Sequence, residues 1–88
     1  VVEQSAIYVK TVRPISGQRL ELVLADGSTA TADLSALITR RDCYWRLRQE
    51  RYFRMVRVDE QGVVCWPEGE DVAPESLARY VVAQEINK

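Results

Sequence analysis

Apolar and polar residues alternate most cleanly from Arg19 to Leu24. Leu20, Leu22 and Leu24 point one way, and Arg19, Glu21 and Val23 the other. A period of two marks a half-buried strand. Ala25-Asp26-Gly27-Ser28 follows, and Asp-Gly tolerates the positive φ angles of a tight hairpin turn. Residues 29–32 return as the partner strand. Upstream, residues 6–12 read as a first strand, broken by the turn chemistry of Pro14-Ile15-Ser16-Gly17.

The period then lengthens. Asp33 is placed to cap a short helix over residues 34–39, where Leu34, Leu37 and Ile38 recur at helical spacing. Asp42 is placed to cap a second helix over residues 43–50, with Tyr44 and Leu47 inward and Arg46 and Arg48 outside. Residues 52–58, rich in Tyr, Phe and Val, predict a strand. Asp59-Glu60-Gln61-Gly62 turns it back into a strand over residues 63–66, which Pro67 ends because it has no ladder donor. Glu68-Gly69-Glu70-Asp71 reads as an acidic turn. Pro74 suits a first helical turn and Glu75 the positive end of the helix dipole, so a last helix is predicted from Pro74 to about residue 85. The sum is one α+β domain over residues 1–88. It is a small antiparallel sheet of about five strands, built from two hairpins, with two short helices and a C-terminal helix packed on one face.

Composition narrows the function classes. A hydrophobic fraction of 47% and a charged fraction of 28% are those of an ordinary globular protein. No apolar run approaches the roughly 20 residues of a membrane span, so no membrane is expected as a partner. Cys43 and Cys65 lie far apart, which fits free, buried thiols in a reducing cytoplasm, with a disulfide or redox pair as the alternative. The chain has no histidine, and with it go the commonest general base and the commonest metal ligand. Ser16, Ser28, Ser35, Ser76 and the two cysteines therefore lack an imidazole base, and no phosphate-binding loop or nucleophile elbow occurs. A non-enzymatic protein without cofactor or metal is the expectation.

The net charge of −1 hides a split. Arg40, Arg41, Arg46, Arg48, Arg51, Arg54 and Arg57 stand against Asp42 and Glu50, a net of +5 over residues 40–57. Asp59, Glu60, Glu68, Glu70, Asp71 and Glu75 meet no base, a net of −6 over residues 59–75. Arginine forks suit phosphates and carboxylates, and the interleaved Tyr44, Trp45, Tyr52 and Phe53 could stack on bases. The plainer alternative is a solvated helix face whose arginine stems cover apolar surface. Trp45 follows Tyr44 on a helix, so the two side chains diverge by about 100°. With Tyr44 inward, Trp45 turns to the surface, where tryptophan is enriched at binding hot spots. The acidic turn lacks the ligand spacing of a calcium loop; a solvated turn with Asp71 bonded to the start of the last helix is the plainer alternative. Asp71 and Glu75 are also candidates to pair with the central arginines.

Asp26-Gly27 after an alternating run, Phe53 opening a later strand, then Trp66-Pro67, Asp71, Ala73-Pro74-Glu75 and Leu77 resemble a small prokaryotic family. It is known as domain of unknown function twenty-four forty-two, and the resemblance covers roughly residues 9–80. Its members are short bacterial proteins. They stand alone, precede a helix-turn-helix domain, or are encoded beside another small protein in a toxin–antitoxin-like arrangement. The resemblance implies a fold and a genomic habit and carries no active-site residues. Together these readings predict a partner-binding or regulatory module, antitoxin-like toward a small protein encoded nearby. Its expected contact residues are Arg41, Trp45, Arg48, Arg51, Trp66, Glu70 and Asp71. Weak nucleic-acid binding by residues 40–57 is the alternative, and a homodimer through opposed charges or a free edge strand is compatible with both.

Overall fold

A computed structural model describes residues 8–85. The alternating leucines form β2 (Arg19–Leu24), flanked by β1 (Val9–Ile15) and β3 (Thr29–Asp33). Leu20, Leu22, Leu24, Ala30 and Ala32 are all buried, so period two translates directly into one inward face. Residues 6 and 7 of the expected first strand lie outside the described residues. The strand runs on through Pro14, which β1 tolerates at the sheet edge, and the turn falls at Ser16–Gln18.

Three hairpin turns repeat one construction. In residues 24–28, 59–63 and 66–70 the first residue's carbonyl accepts the fourth amide, and its own amide donates to the fifth carbonyl. The fourth residue is Gly27, Gly62 or Gly69, each at positive φ. At Gly62 a side chain would also crowd β1, since a Cβ there would sit 3.3 Å from that of Tyr8. Between β1 and β2 the corresponding place is held by Gln18, at φ 63.

The domain is α+β, as the pattern predicts, but its strands divide into two antiparallel sheets. The first has the order β1-β2-β3-β7, where β7 is Val81–Glu85, and the second the order β4 (Arg57–Val58), β5 (Val64–Cys65), β6 (Asp71–Val72). The first expected helix is α1 (Ser35–Arg40), but Asp33 is not its cap. Leu34 stands at the N-cap with no side-chain cap bond, and the Asp33 carboxylate, one residue upstream at the end of β3, accepts from the Ser35 amide at 3.0 Å and hydroxyl at 2.7 Å. The second expected helix is instead a 3₁₀ segment, Asp42–Arg48, kinked at Tyr44, and Asp42 makes no cap bond. The expected strand over residues 52–58 is corrected most. Tyr52 and Phe53 close a short helix, α2 (Glu50–Phe53), and only β4 (Arg57–Val58) is strand. The cause is distant: the Trp66 indole N–H donates to the Phe53 carbonyl at 2.9 Å, a bond that a ladder position would not leave free.

β5 (Val64–Cys65) pairs with β4 and with β6 (Asp71–Val72), so Asp71 lies in a strand and caps no helix. The last helix, α3 (Pro74–Arg79), is short, and β7 (Val81–Glu85) follows it as a strand on β3. Val81 and Val82 are β-branched, and the open side of β3 supplies the partner groups that a continuing helix would have left unmet. The Asp33 amide begins that junction by donating to the Tyr80 carbonyl at 2.9 Å. One core joins both sheets: Leu34, Leu37, Ile38, Leu47, Phe53, Val64, Trp66, Val72 and Leu77 pack with the inward face of the larger sheet.

Candidate functional site

The stretch with the charge excess forms the 3₁₀ segment, α2 and the turn after it. Leu47 and Phe53 anchor it in the core, which leaves the arginines outside. Trp45 is 50% exposed, as its offset from Tyr44 requires, and the Arg46 guanidinium lies 4.7 Å from its ring centroid. Arg46 also donates to the Glu70 carboxylate at 3.0 Å. The other Glu70 oxygen accepts from the Tyr52 hydroxyl at 2.5 Å, and that hydroxyl accepts from the Glu68 amide at 2.8 Å. A continuous relay therefore runs from the half-buried Tyr52 and the buried Glu70 through Arg46 to the exposed tryptophan.

Electrostatics follow from this geometry. Burial pushes the Glu70 carboxyl up, but the Tyr52 hydroxyl, its own amide and Arg46 outweigh burial and hold it below its ordinary range. Tyr52 is pushed up, first by burial and then by the hydrogen bond to Glu70. Tyr44 is pushed up by burial and by the nearby Cys43 and Asp71, and its hydroxyl donates to the Asp71 carbonyl at 2.8 Å.

Two expected contact residues are corrected. Trp66 is 1% exposed, stacked at a tilt on Phe53 with ring centroids 5.8 Å apart; it is core and presents no surface. It follows β5 directly, and its position two residues after Val64 turns both side chains into the core. Glu70 is buried behind Trp45 and holds Arg46 instead of facing a partner. Arg48 keeps an exposed side but is engaged: it donates to the Ile38 carbonyl at 3.1 Å, at the end of α1, and lies 3.8 Å from Asp42. Arg41, Arg51 and Asp71 are exposed. Cys43 is exposed and Cys65 half-buried; both are free thiols, so the expectation that both are buried is corrected.

Arg46–Glu70 is the single ion pair joining the basic and acidic stretches among the described residues. Arg40, Arg41, Arg51, Arg54 and Arg57 have no carboxylate within 4.0 Å among those residues, nor do Asp71 and Glu75 pair with any arginine there. Sequence reasoning passed over Arg46 and Tyr52, because nothing local links them to a glutamate 24 and 18 residues away. It also missed a cleft of about 270 Å³ where the β1–β2 turn meets Arg48, Phe53 and Arg54.

Residues 9–83 match the family model described as Protein of unknown function (DUF2442). The chain belongs to that family. No curated protein and no solved structure matches it. Among the described residues of this DUF2442 domain, no cluster of three or more Cys, Asp or Glu side chains is arranged to hold a metal, and no helix is long and apolar enough to cross a membrane.

Proposed function

We propose that this DUF2442 domain is a non-catalytic protein-recognition module of the cytoplasm. It binds an acidic partner through residues 40–57, with Trp45 as the anchor. The observation that carries this reading is the relay behind Trp45. A half-exposed tryptophan is held from behind by Arg46, which is itself fixed by a buried carboxylate, so little side-chain freedom remains to be lost on binding. Around it Arg40, Arg41, Arg51, Arg54 and Arg57 meet no carboxylate among the described residues, which favours encounter with an acidic surface. The family's habit of lying beside another small gene suggests the partner's source and an antitoxin-like pairing.

The test is a tagged pull-down from the producing cell's lysate, treated with nuclease, followed by titration of the captured protein. Trp45→Ala is expected to weaken binding by about 30-fold or more, the scale of a hot-spot loss. Arg51→Glu with Arg54→Glu should slow association while the circular dichroism stays unchanged. A captured protein whose affinity ignores both variants sinks the site assignment. The same free arginines favour a second reading, nucleic acid. It is supported if nuclease or high salt removes the captured material, since phosphate contacts release counterions.

A further inference from the structure

The larger sheet has two edges of opposite character. β1 carries Lys10, Arg13 and Pro14, its register slips between Val9 and Thr11, and its Val9 amide donates to the Gly62 carbonyl at 3.0 Å. Register slips occur at both edges, so the contrast rests on the cations and the proline, which keep a strand edge from recruiting another strand. β7 has neither cation nor proline: it reads Val81-Val82-Ala83-Gln84-Glu85. One side pairs with β3, and the other meets no strand among the described residues. A register slip against Thr31 and Ala32 leaves Val82 without an opposite residue, and its side chain is 65% exposed.

We infer that β7 is a self-association edge: a second copy of this chain pairs antiparallel to it across a twofold axis, continuing the four-stranded sheet into one of twice the width. Charge selects this occupant. Glu85 is the one charge on β7. In a register centred on Ala83, an antiparallel copy sets Glu85 against Val81 and Val82 against Gln84. The two carboxylates then lie roughly 13 Å apart along the strand, beyond the screening length of about 8 Å. A parallel copy would set Glu85 against Glu85, which like charges oppose. An acidic partner of the kind residues 40–57 would recruit finds a carboxylate and no cation at this edge. A second copy instead brings an identical set of unmet amides and carbonyls, and one symmetry operation satisfies both. A pair of five-residue strands buries less than the roughly 1,200 Å² of a stable interface, so the dimer is weak and falls apart on dilution.

Sedimentation velocity of the purified chain from about 10 μM to 1 mM tests this, the range where such small interfaces associate. The mass is expected to rise toward twice that of the monomer. Val82→Lys, at an exposed site outside the core, should raise the dissociation constant about tenfold or more. Met55→Lys, at another exposed apolar side chain (52%), should leave it unchanged. A wild type that stays monomeric throughout overturns the inference. So does a dimer that survives Val82→Lys, or one lost equally to Met55→Lys or to reversal of Arg51 and Arg54. Because no partner is present, the result stands apart from the fate of the recognition reading.

Discussion

The β1–β3 meander and the stretch from the 3₁₀ segment to β6 share one core but are held by different forces. In the meander, register comes from a backbone ladder and one face of alternating leucines, so stability is spread over many equivalent contacts. In the second region the strands are two residues long, too short to fix themselves. Side chains do the fastening there: the Trp66 indole on the Phe53 carbonyl, Tyr52 and Arg46 on Glu70, Tyr44 on the Asp71 carbonyl. A buried polar group that loses its partner costs its full desolvation penalty, so this half concentrates its stability in a few bonds.

Trp66→Ala is therefore expected to have the largest effect. The lost ring costs about 3–5 kcal/mol as a core truncation. Trp66→Phe keeps most of the ring but removes the indole bond, leaving the Phe53 carbonyl only the longer bond from the Val56 amide at 3.3 Å, at about 0.5–1.5 kcal/mol. Urea denaturation of both variants measures the two parts. If Trp66→Phe matches the wild type, the indole bond holds nothing and the contrast between the regions fails.

Tyr52→Phe comes next, at about 1.5–3 kcal/mol, the range for a hydrogen bond to a charged group. Its pH dependence separates the regions further. Glu70 is depressed in the folded chain, so its contribution is full above its unfolded value and is lost as pH falls through the folded one. Asp26 and Asp33 are depressed too, by bonds from the hydroxyls and amides of Ser28 and Ser35, so acid weakens both regions. Alkali does not. Tyr44 and Tyr52 are raised, so their contributions are full below the unfolded phenol value of about 10 and are lost as pH rises through the folded ones. Both belong to the second region. Unfolding followed from neutral pH to alkali should show a loss that Tyr52→Phe reduces; an unchanged alkaline limb would remove the relay from the account.

The same contrast explains what was legible in the sequence. Leu20, Leu22, Leu24 and Asp26-Gly27 state their own register, because a one-residue slip would expose every leucine. Tyr52 and Phe53 have strand composition, yet their helical turn is set by an indole 13 residues away, a contact with no local signal. The C-terminal segment kept helical spacing at Leu77, Val81 and Gln84, but its outcome depended on whether β3 had an open side. Trp45 was legible because helical geometry forces it away from Tyr44. Trp66 was not, because a run of Val-Val-Cys-Trp is apolar on both faces until the neighbouring strands are known.

The smallest expected effect lies in the meander, at Gln18. Three turns use a single glycine where the chain takes positive φ, and the β1–β2 turn takes it at two successive residues, Gly17 at φ 74 and Gln18 at φ 63. A left-handed conformation costs a side-chain-bearing residue about 1–2 kcal/mol. Glycine removes that cost but loses about 0.5–1 kcal/mol more backbone entropy on folding. Gln18→Gly should therefore stabilise the domain by up to about 1 kcal/mol, since the Gln18 group used in the fold is its backbone carbonyl, which accepts from Leu34 at 3.0 Å and survives the change. Thermal denaturation would read this as a small rise in Tm. A fall instead would mean that the Gln18 side chain stabilises the turn beside Arg48 and Arg54, and the meander would then also depend on a side-chain fastening.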